Sequence, residues 1–200
     1  MDATLSKDMG GPVLLHRFRY RLGRGFVKPG ETVLDIGCGA GYGTEMLSKV
    51  AGKVIGIELS AADVREAEKK YGKPNVEFIC GDLERIELPK CDVACAFEVI
   101  EHFHDVPPFI KKLKEATKKF IVLSVPVGQH LVWVEEKKEW QEENDWTHHS
   151  AFADENVMRK LFEDDKWKKF FDFTSGITYM GAYYNSESII QKEDGTYDFC

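Results

Sequence analysis

Residues Val33 to Gly43 read Val-Leu-Asp-Ile-Gly-Cys-Gly-Ala-Gly-Tyr-Gly, and this stretch decides the fold. An apolar strand runs into a glycine-rich turn and then into a helix, so that backbone can approach a ligand closely at the carboxyl edge of a sheet. A dinucleotide fingerprint counted from Gly37 would need its third small residue at Tyr42, which is bulky. Asp35 stands two residues before Gly37, where a carboxylate repels phosphate and favours a cationic or hydroxyl-bearing ligand. Both features weigh against a NAD-dependent oxidoreductase.

Apolar, strand-like runs alternate with helical segments on either side of this turn. The predicted strands cover residues 32–36, 53–57, 76–80, 91–97 and 120–125, and the predicted helices cover residues 12–26, 41–51, 61–71, 106–116 and 154–162. This alternation predicts an α/β fold with a parallel sheet covered on both faces. Ligands of such sheets bind beyond the carboxyl ends of the strands.

The composition predicts a single domain over residues 1–200, because 200 residues with 43% hydrophobic content suffice for one core. A net charge of −7 argues against nucleic acid as a partner, despite lysines clustered in residues 111–119 and 166–169. No apolar run approaches the length of a membrane span, and the polar start of the chain has no secretory segment. Five cysteines without a C-x-x-C pair indicate a reducing compartment. We therefore expect a cytoplasmic protein.

The glycine-rich stretch resembles motif I of the class I S-adenosylmethionine-dependent methyltransferases, whose cofactor carries a sulfonium and an ammonium and no phosphate. The resemblance implies a Rossmann-like, doubly wound, seven-stranded sheet that is mostly parallel, with an antiparallel C-terminal hairpin. Residues 168–174 and 186–192 suit the two strands of this hairpin. The resemblance also implies S-adenosyl-L-methionine as cofactor and S-adenosyl-L-homocysteine as product. The loop residues that it places at the cofactor are Asp35, Gly37, Cys38, Gly39, Gly41 and Tyr42.

Within this loop, two side chains have more than one possible role. Asp35 either orders the glycine turn or faces the methionine end of the cofactor, and a purely structural acid is the plainer alternative. Tyr42 either closes over the cofactor or only packs at the start of the helix.

Acidic residues stand at the ends of four predicted strands, and parallel strands bring them to one edge. They are Asp35, Glu58, Asp82 and Glu98. Glu58 follows Gly37 by twenty-one residues and matches the position where an acid accepts hydrogen bonds from both ribose hydroxyls. By the resemblance, Asp82 meets the adenine amino group, Leu83 presents its backbone or side chain to the same ring, and Leu59 joins Glu58 at the cofactor.

The segment from Phe97 to His102 resembles the family's motif after the fourth strand, which puts Glu98 near the methionine moiety or the acceptor. If a helical turn began at Glu98, then Glu98, Glu101 and His102 would share one face. In one interpretation the stretch lines the pocket and His102 accepts the proton of a nucleophilic hydroxyl. In a second, these three residues and either His148 or His149 bind a divalent cation, as in enzymes that methylate the 3′-terminal 2′-hydroxyl of small RNAs. In a third, Glu101 and His102 only hold the loop.

Residues 127–149 interrupt the alternating pattern and are rich in Trp, Glu and Lys. A span of this size between core elements predicts a cover over the acceptor site. His148 and His149 stand at its end, where related methyltransferases carry a histidine opposite the methyl donor, so one of them is a candidate for substrate contact. The predicted helix of residues 12–26 leads into the domain from the other side.

These observations predict a methyltransferase that acts on a small-molecule acceptor, at oxygen in preference to nitrogen or carbon, without an assigned metal. Two alternatives stay open: a divalent-metal-assisted RNA 2′-O-methyltransferase, and a non-catalytic, cofactor-binding partner subunit. The sequence identifies neither the acceptor nor the oligomeric state.

Overall fold

Strands and helices alternate along the chain in the computed structural model, which describes residues 11–126, 155–175, 178–192 and 197–199. The helices are α1 (Gly11–Arg24), α2 (Tyr42–Leu47), α3 (Ala61–Tyr71), α4 (Val106–Ala116) and α5 (Glu155–Phe162). The strands are β1 (Thr32–Ile36), β2 (Lys53–Glu58), β3 (Val76–Cys80), β4 (Cys91–Phe97), β5 (Thr117–Pro126), β6 (Trp167–Ser175), β7 (Thr178–Asn185), β8 (Ile189–Gln191) and β9 (Tyr197–Phe199). Short 3₁₀ turns span Ile100–His102 and Ser186–Ser188.

Seven strands form one sheet in the order β3-β2-β1-β4-β5-β7-β6. Strands β1 to β5 pair in parallel, whereas β7 is antiparallel to both β5 and β6. The chain proceeds from β1 towards β3 on one side and from β4 towards β6 on the other, so the order reverses between β1 and β4. The carboxyl edge at that point is where open α/β sheets bind ligands. The predicted seven-stranded, mostly parallel sheet with an antiparallel C-terminal hairpin is confirmed.

Successive side chains of the central strands point to opposite faces of the sheet and pack into two cores, one on each face. Leu34 and Ile36 of β1 belong to the core that α4 and α5 cover. Val33 belongs to the opposite core, which includes Tyr20 of α1 and Leu47 of α2. The central strands are therefore apolar on both faces, which is the pattern that predicted a parallel sheet.

The prediction for the C-terminal hairpin was wrong in the position of its second strand. Residues 186–192 form a 3₁₀ turn and the short strand β8, while the hairpin partner of β6 is β7, at Thr178–Asn185. Strand β7 lies between β5 and β6 and is almost wholly buried, so its sequence has no polar alternation to reveal it. Two helices are also shorter than predicted, since α1 ends at Arg24 and α2 at Leu47.

Candidate functional site

The glycine turn after β1 adopts backbone angles that favour glycine. Gly37, Gly39 and Gly41 have φ values of 67°, 52° and 83°. The amides of Gly37 and Cys38 both donate to the carbonyl of Ile57 in β2, at 2.9 and 3.1 Å. A Cβ at Gly37 would lie 2.5 Å from Cγ2 of Val99, so the turn also packs directly against the segment after β4.

Glu58 at the end of β2 is hydrogen-bonded to this turn. Its Oε2 accepts from the amide of Gly39 at 3.1 Å, and its Oε1 accepts from the amide of Ser60 at 2.9 Å. An ionised carboxylate has about four acceptor positions, so two remain for hydroxyl groups of a ligand. Leu59 beside it is 68% exposed and is open to contact with a ligand. The sequence-predicted ribose contact fits this geometry and stays a prediction.

Asp35 is completely buried, and hydroxyl groups of the protein bind both of its carboxylate oxygens. Tyr20 Oη of α1 donates to Oδ1 at 3.0 Å, and Thr44 Oγ1 of α2 donates to Oδ2 at 2.6 Å. Burial raises the pKa of Asp35 to about 7 and nearby Glu58 adds to the rise, whereas the two hydroxyl hydrogen bonds lower it. Of the two predicted roles, this arrangement matches ordering of the loop.

The two remaining predicted side chains of the turn differ in exposure. Tyr42 is the first residue of α2 and is 36% exposed, with its ring edge-to-face against Tyr20 at 5.5 Å between centroids. Cys38 is buried, and burial raises the pKa of its thiol far above the usual range. Tyr42 is thus accessible to a ligand, while the Cys38 thiol is an unreactive packing group.

Asp82 and Leu83 stand after β3, as predicted. Asp82 Oδ1 accepts from the amide of Glu84 at 2.9 Å, and Oδ2 lies 3.1 Å from Arg85 Nε, so Asp82 also serves as a turn-forming residue. The side chain of Leu83 packs in the core, and its carbonyl accepts a hydrogen bond from Lys112. The expected adenine contacts stay predictions, and for Leu83 the backbone is the better candidate.

Glu98 does not begin a helical turn. The prediction that Glu98, Glu101 and His102 share one helical face required such a turn and is therefore wrong. The φ of Glu98 is 56°, a left-handed value that is uncommon for a residue other than glycine, and the 3₁₀ turn starts only at Ile100. Its Oε1 accepts from Ser124 Oγ at 2.8 Å and lies 3.2 Å from a guanidinium nitrogen of Arg19. Such backbone strain is concentrated at functional sites, where the surrounding contacts maintain it.

Glu101 is 1% exposed, and its Oε2 has no hydrogen-bond partner among the described residues. Burial and then the charge of Glu98 raise the pKa of Glu101 to about 8. His102 in the same turn is half-buried, and its role as a proton acceptor stays a prediction. Within the described ranges, no three His, Cys, Asp or Glu side chains are grouped to hold a metal ion. His148, His149 and the insertion of residues 127–149 lie outside the described residues.

Helix α1 adds two buried site residues that the sequence did not reveal, Arg19 and Tyr20, which are 3% and 4% exposed. Arg19 reaches Glu98, and Tyr20 reaches Asp35, so α1 contacts β1 and the segment after β4. The sequence showed an amphipathic helix here, but neither residue type carries a signal for these contacts.

The sheet order and the glycine turn at its switch point define a Rossmann-like α/β protein with a candidate cofactor site at the carboxyl edge. Residues 34–120 match the family model described as a methyltransferase domain. The matched segment contains Asp35, Glu58 and Asp82, so it supports the predicted resemblance to the class I S-adenosylmethionine-dependent methyltransferases.

Two curated relatives show how far the sequence similarity extends. A probable S-adenosylmethionine-dependent methyltransferase of Mycolicibacterium smegmatis is 38% identical over 85 residues, which are 42% of this chain and 32% of the relative. A ubiquinone biosynthesis O-methyltransferase of Rhodopseudomonas palustris is 38% identical over 84 residues, which are 40% of this chain and 33% of the relative. The similarity thus spans about a third of the length of these relatives.

A solved structure extends the likeness of fold beyond the matched segment. Magnesium protoporphyrin IX methyltransferase from Synechocystis with bound S-adenosylhomocysteine superposes with a TM-score of 0.66 at 20% identity, over 87% of this chain and 83% of that one. At this identity the match bears on the fold alone.

In the described part of the chain, no helix is long and apolar enough to cross a membrane.

Proposed function

We propose that this chain binds S-adenosyl-L-methionine and transfers its methyl group to an oxygen atom of a small molecule, releasing S-adenosyl-L-homocysteine. The observation that carries the proposal is the link between the glycine turn and the Glu58 carboxylate. This carboxylate retains acceptor positions for two hydroxyls, as a ribose presents. The turn and its acids suit an adenosyl group with a sulfonium and an ammonium, because they offer a cation-favouring edge rather than a phosphate site.

The protein has a limited chemical task in such a transfer. When bound, the cofactor supplies a methyl group on a sulfonium, which is already an activated leaving group. The residues around it have to align the nucleophile, exclude water and, for an alcohol, accept a proton. We assign cofactor contact to Glu58, Leu59, Asp82, Leu83 and the turn from Gly37 to Tyr42, which Asp35 orders. We assign acceptor contact to Glu98, His102 and the histidines His148 and His149.

Two observations support a small-molecule acceptor. The name of the Rhodopseudomonas palustris relative supports a small molecule and transfer to oxygen, although it matches only part of that protein. The net charge of −7 also favours a small molecule over nucleic acid.

Cofactor identity is tested by calorimetric titration with S-adenosylhomocysteine and, separately, with NAD. We expect binding of the first and none of the second. The acceptor is tested by a panel of phenols, alcohols, amines and carboxylates with S-adenosylmethionine, followed through formation of S-adenosylhomocysteine. Binding without turnover on the whole panel would favour the non-catalytic partner subunit instead.

Glu58→Gln is the sharpest single substitution for this proposal. The change keeps the shape of the side chain and removes the charge that favours hydroxyl donors, so we expect S-adenosylhomocysteine binding to weaken by roughly tenfold or more. Glu66→Gln, at an exposed position on α3, is the matched control and should bind like wild type. Equal affinity of the Glu58→Gln variant and wild type would remove Glu58 from the ribose site.

The unpartnered Oε2 of Glu101 beside Glu98 favours one second candidate, metal-assisted methylation of an RNA 2′-hydroxyl. Carboxylate oxygens are the ligands that Mg²⁺ takes from protein side chains, and Glu98 and Glu101 could supply two of them. The test is methylation of a short RNA at its 3′ terminus with Mn²⁺, with chelator, and with metal restored after chelation. Chelator-insensitive turnover on a small molecule would exclude this candidate.

A further inference from the structure

Helix α1 lies before the segment that matches the family model, yet it donates a hydrogen bond to Asp35, near the end of the strand that leads into the glycine turn. Tyr20 Oη donates to Asp35 Oδ1 at 3.0 Å, while Thr44 Oγ1 donates to Asp35 Oδ2 at 2.6 Å. Asp35 is therefore the shared acceptor of α1 and α2, and it stands two residues before the first glycine of the turn.

The ring of Tyr20 is also fixed against the first turn of α2. A Cβ placed at Gly43 would lie only 2.0 Å from Cζ of Tyr20, so the ring occupies the space that any other residue at position 43 would need. The same ring meets Tyr42 and Phe97 edge-to-face, with centroids 5.5 and 5.0 Å apart. Tyr20 is thus held on three sides, and the direction of its hydroxyl is set by packing.

We propose that Tyr20 is a positioning residue for the cofactor: through Asp35 and the first turn of α2, it holds the glycine turn in the shape that accepts the adenosyl group. The inference rests on the proposed function, because it concerns affinity for that cofactor. Helix α1, which lies outside the segment that matches the family model, would thus contribute to cofactor binding.

The charge of Asp35 explains how the hydroxyl of Tyr20 acts. Two hydroxyl donors, one on each oxygen, fit an ionised carboxylate, whereas protonation would make one of these oxygens a hydroxyl and a weaker acceptor. The titratable groups that face Asp35 are Tyr20 on α1, Tyr42 on α2, Cys38 in the turn, Glu58 on β2 and Cys95 on β4. None of these is a cation, so the hydroxyls of Tyr20 and Thr44 are the groups that favour the ionised form.

The test compares wild type with Tyr20→Phe, which keeps the ring and removes only the hydroxyl. Binding of S-adenosylhomocysteine is measured by calorimetry between pH 5.5 and 8.5. We expect the dissociation constant of the variant to be about tenfold higher near neutral pH. Wild-type affinity should fall as the pH drops through the pKa of Asp35, and the variant should lose affinity at a higher pH, because the missing hydrogen bond normally lowers that pKa.

Two further variants separate positioning from plain stability. Tyr71→Phe, at a half-buried position on α3, is the matched control and should leave both affinity and pH profile unchanged. Asp35→Asn should remove the pH dependence, and Tyr20→Phe should then weaken binding by much less than in wild type. Urea unfolding of each variant reports its stability independently of the ligand.

The outcomes are distinct. If Tyr20→Phe lowers the urea midpoint but leaves affinity and pH profile unchanged, Tyr20 is only a packing residue and the inference fails. If the effects of Tyr20→Phe and Asp35→Asn on affinity simply add, the route through Asp35 is wrong. If wild type itself does not bind S-adenosylhomocysteine, the proposed function fails, and the inference fails with it.

Discussion

Gly41 and Gly39 stand two positions apart in the same turn, but they differ in what surrounds them. Both have positive φ, so alanine at either position costs about 1 kcal/mol or more in backbone strain. A Cβ at Gly41 would also lie 2.7 Å from Cβ of Ala67 and 2.9 Å from Cζ of Phe78, whereas Gly39 has nothing within 4 Å. We expect Gly41→Ala to lose roughly 1–3 kcal/mol more unfolding free energy than Gly39→Ala, measured by urea denaturation. Equal losses would show that α3 moves aside without cost.

Single residues of the site were predictable where their position in the chain implied their position in the sheet. Asp35, Glu58 and Asp82 were found because each stands at or near the end of an apolar run, and the ends of parallel strands meet. The sequence did not reveal Arg19 and Tyr20, because they reach the site from a helix whose pattern indicates only that one face is buried. The left-handed backbone of Glu98 was equally hidden, since its sequence suited the start of a helix.

Among the elements, α3 begins directly after Glu58 and Leu59 of the candidate site, and its N-cap residue joins the two. Ser60 is its N-cap, and its Oγ accepts from the amide of Asp63 at 3.3 Å. Ser60→Ala should lower the unfolding free energy by about 1 kcal/mol, and Ser60→Asp, which keeps an acceptor at the cap, should restore most of it. Thermal or urea unfolding of the three proteins measures this. If Ser60→Asp were as unstable as Ser60→Ala, the contribution of Ser60 would lie elsewhere than in the cap.

Helices and strands with a clear local pattern were predicted to within a few residues. In the parallel half, four strands and two helices have the predicted bounds or differ by one residue. Strand β7 shows why the rest was harder. It runs Thr-Tyr-Met-Gly-Ala-Tyr-Tyr-Asn, with a glycine near its middle, and it lies in the sheet next to β5, more than 50 residues earlier in the chain. Pairing over such a distance leaves no local signal, so the isoleucines of β8 seemed the better strand.

For the whole molecule, the architecture explains why a match limited to residues 34–120 omits part of the candidate site. That segment supplies most of β1, all of β2 to β4 and α2 to α4, and the first residues of β5. Asp35, Glu58 and Asp82 lie within it. The remainder closes the sheet with β7 and β6 and adds α1 over its carboxyl edge. Thr178 of β7 accepts a hydrogen bond from Arg19 of α1 at 3.4 Å, so these two additions meet beside Glu98. Regions outside the shared segment thus contribute contacts around Glu98 in the candidate site.

The stability of the whole molecule should depend on pH through buried Asp35. Its pKa rises from 3.8 to about 7 on folding, so the folded state binds this proton more tightly than the unfolded state does. The stabilisation is fully present below about pH 4 and is lost as the pH rises through about 7, so unfolding free energy should fall between pH 5 and pH 8. Asp35→Asn should reduce the dependence of unfolding free energy on pH. Part of the dependence should remain, because burial also raises the pKa of Glu101, to about 8. Urea titrations at both pH values measure the slopes. Glu66→Gln should keep the wild-type slope, and an undiminished slope in Asp35→Asn would mean that Asp35 is ionised in the folded protein throughout this range.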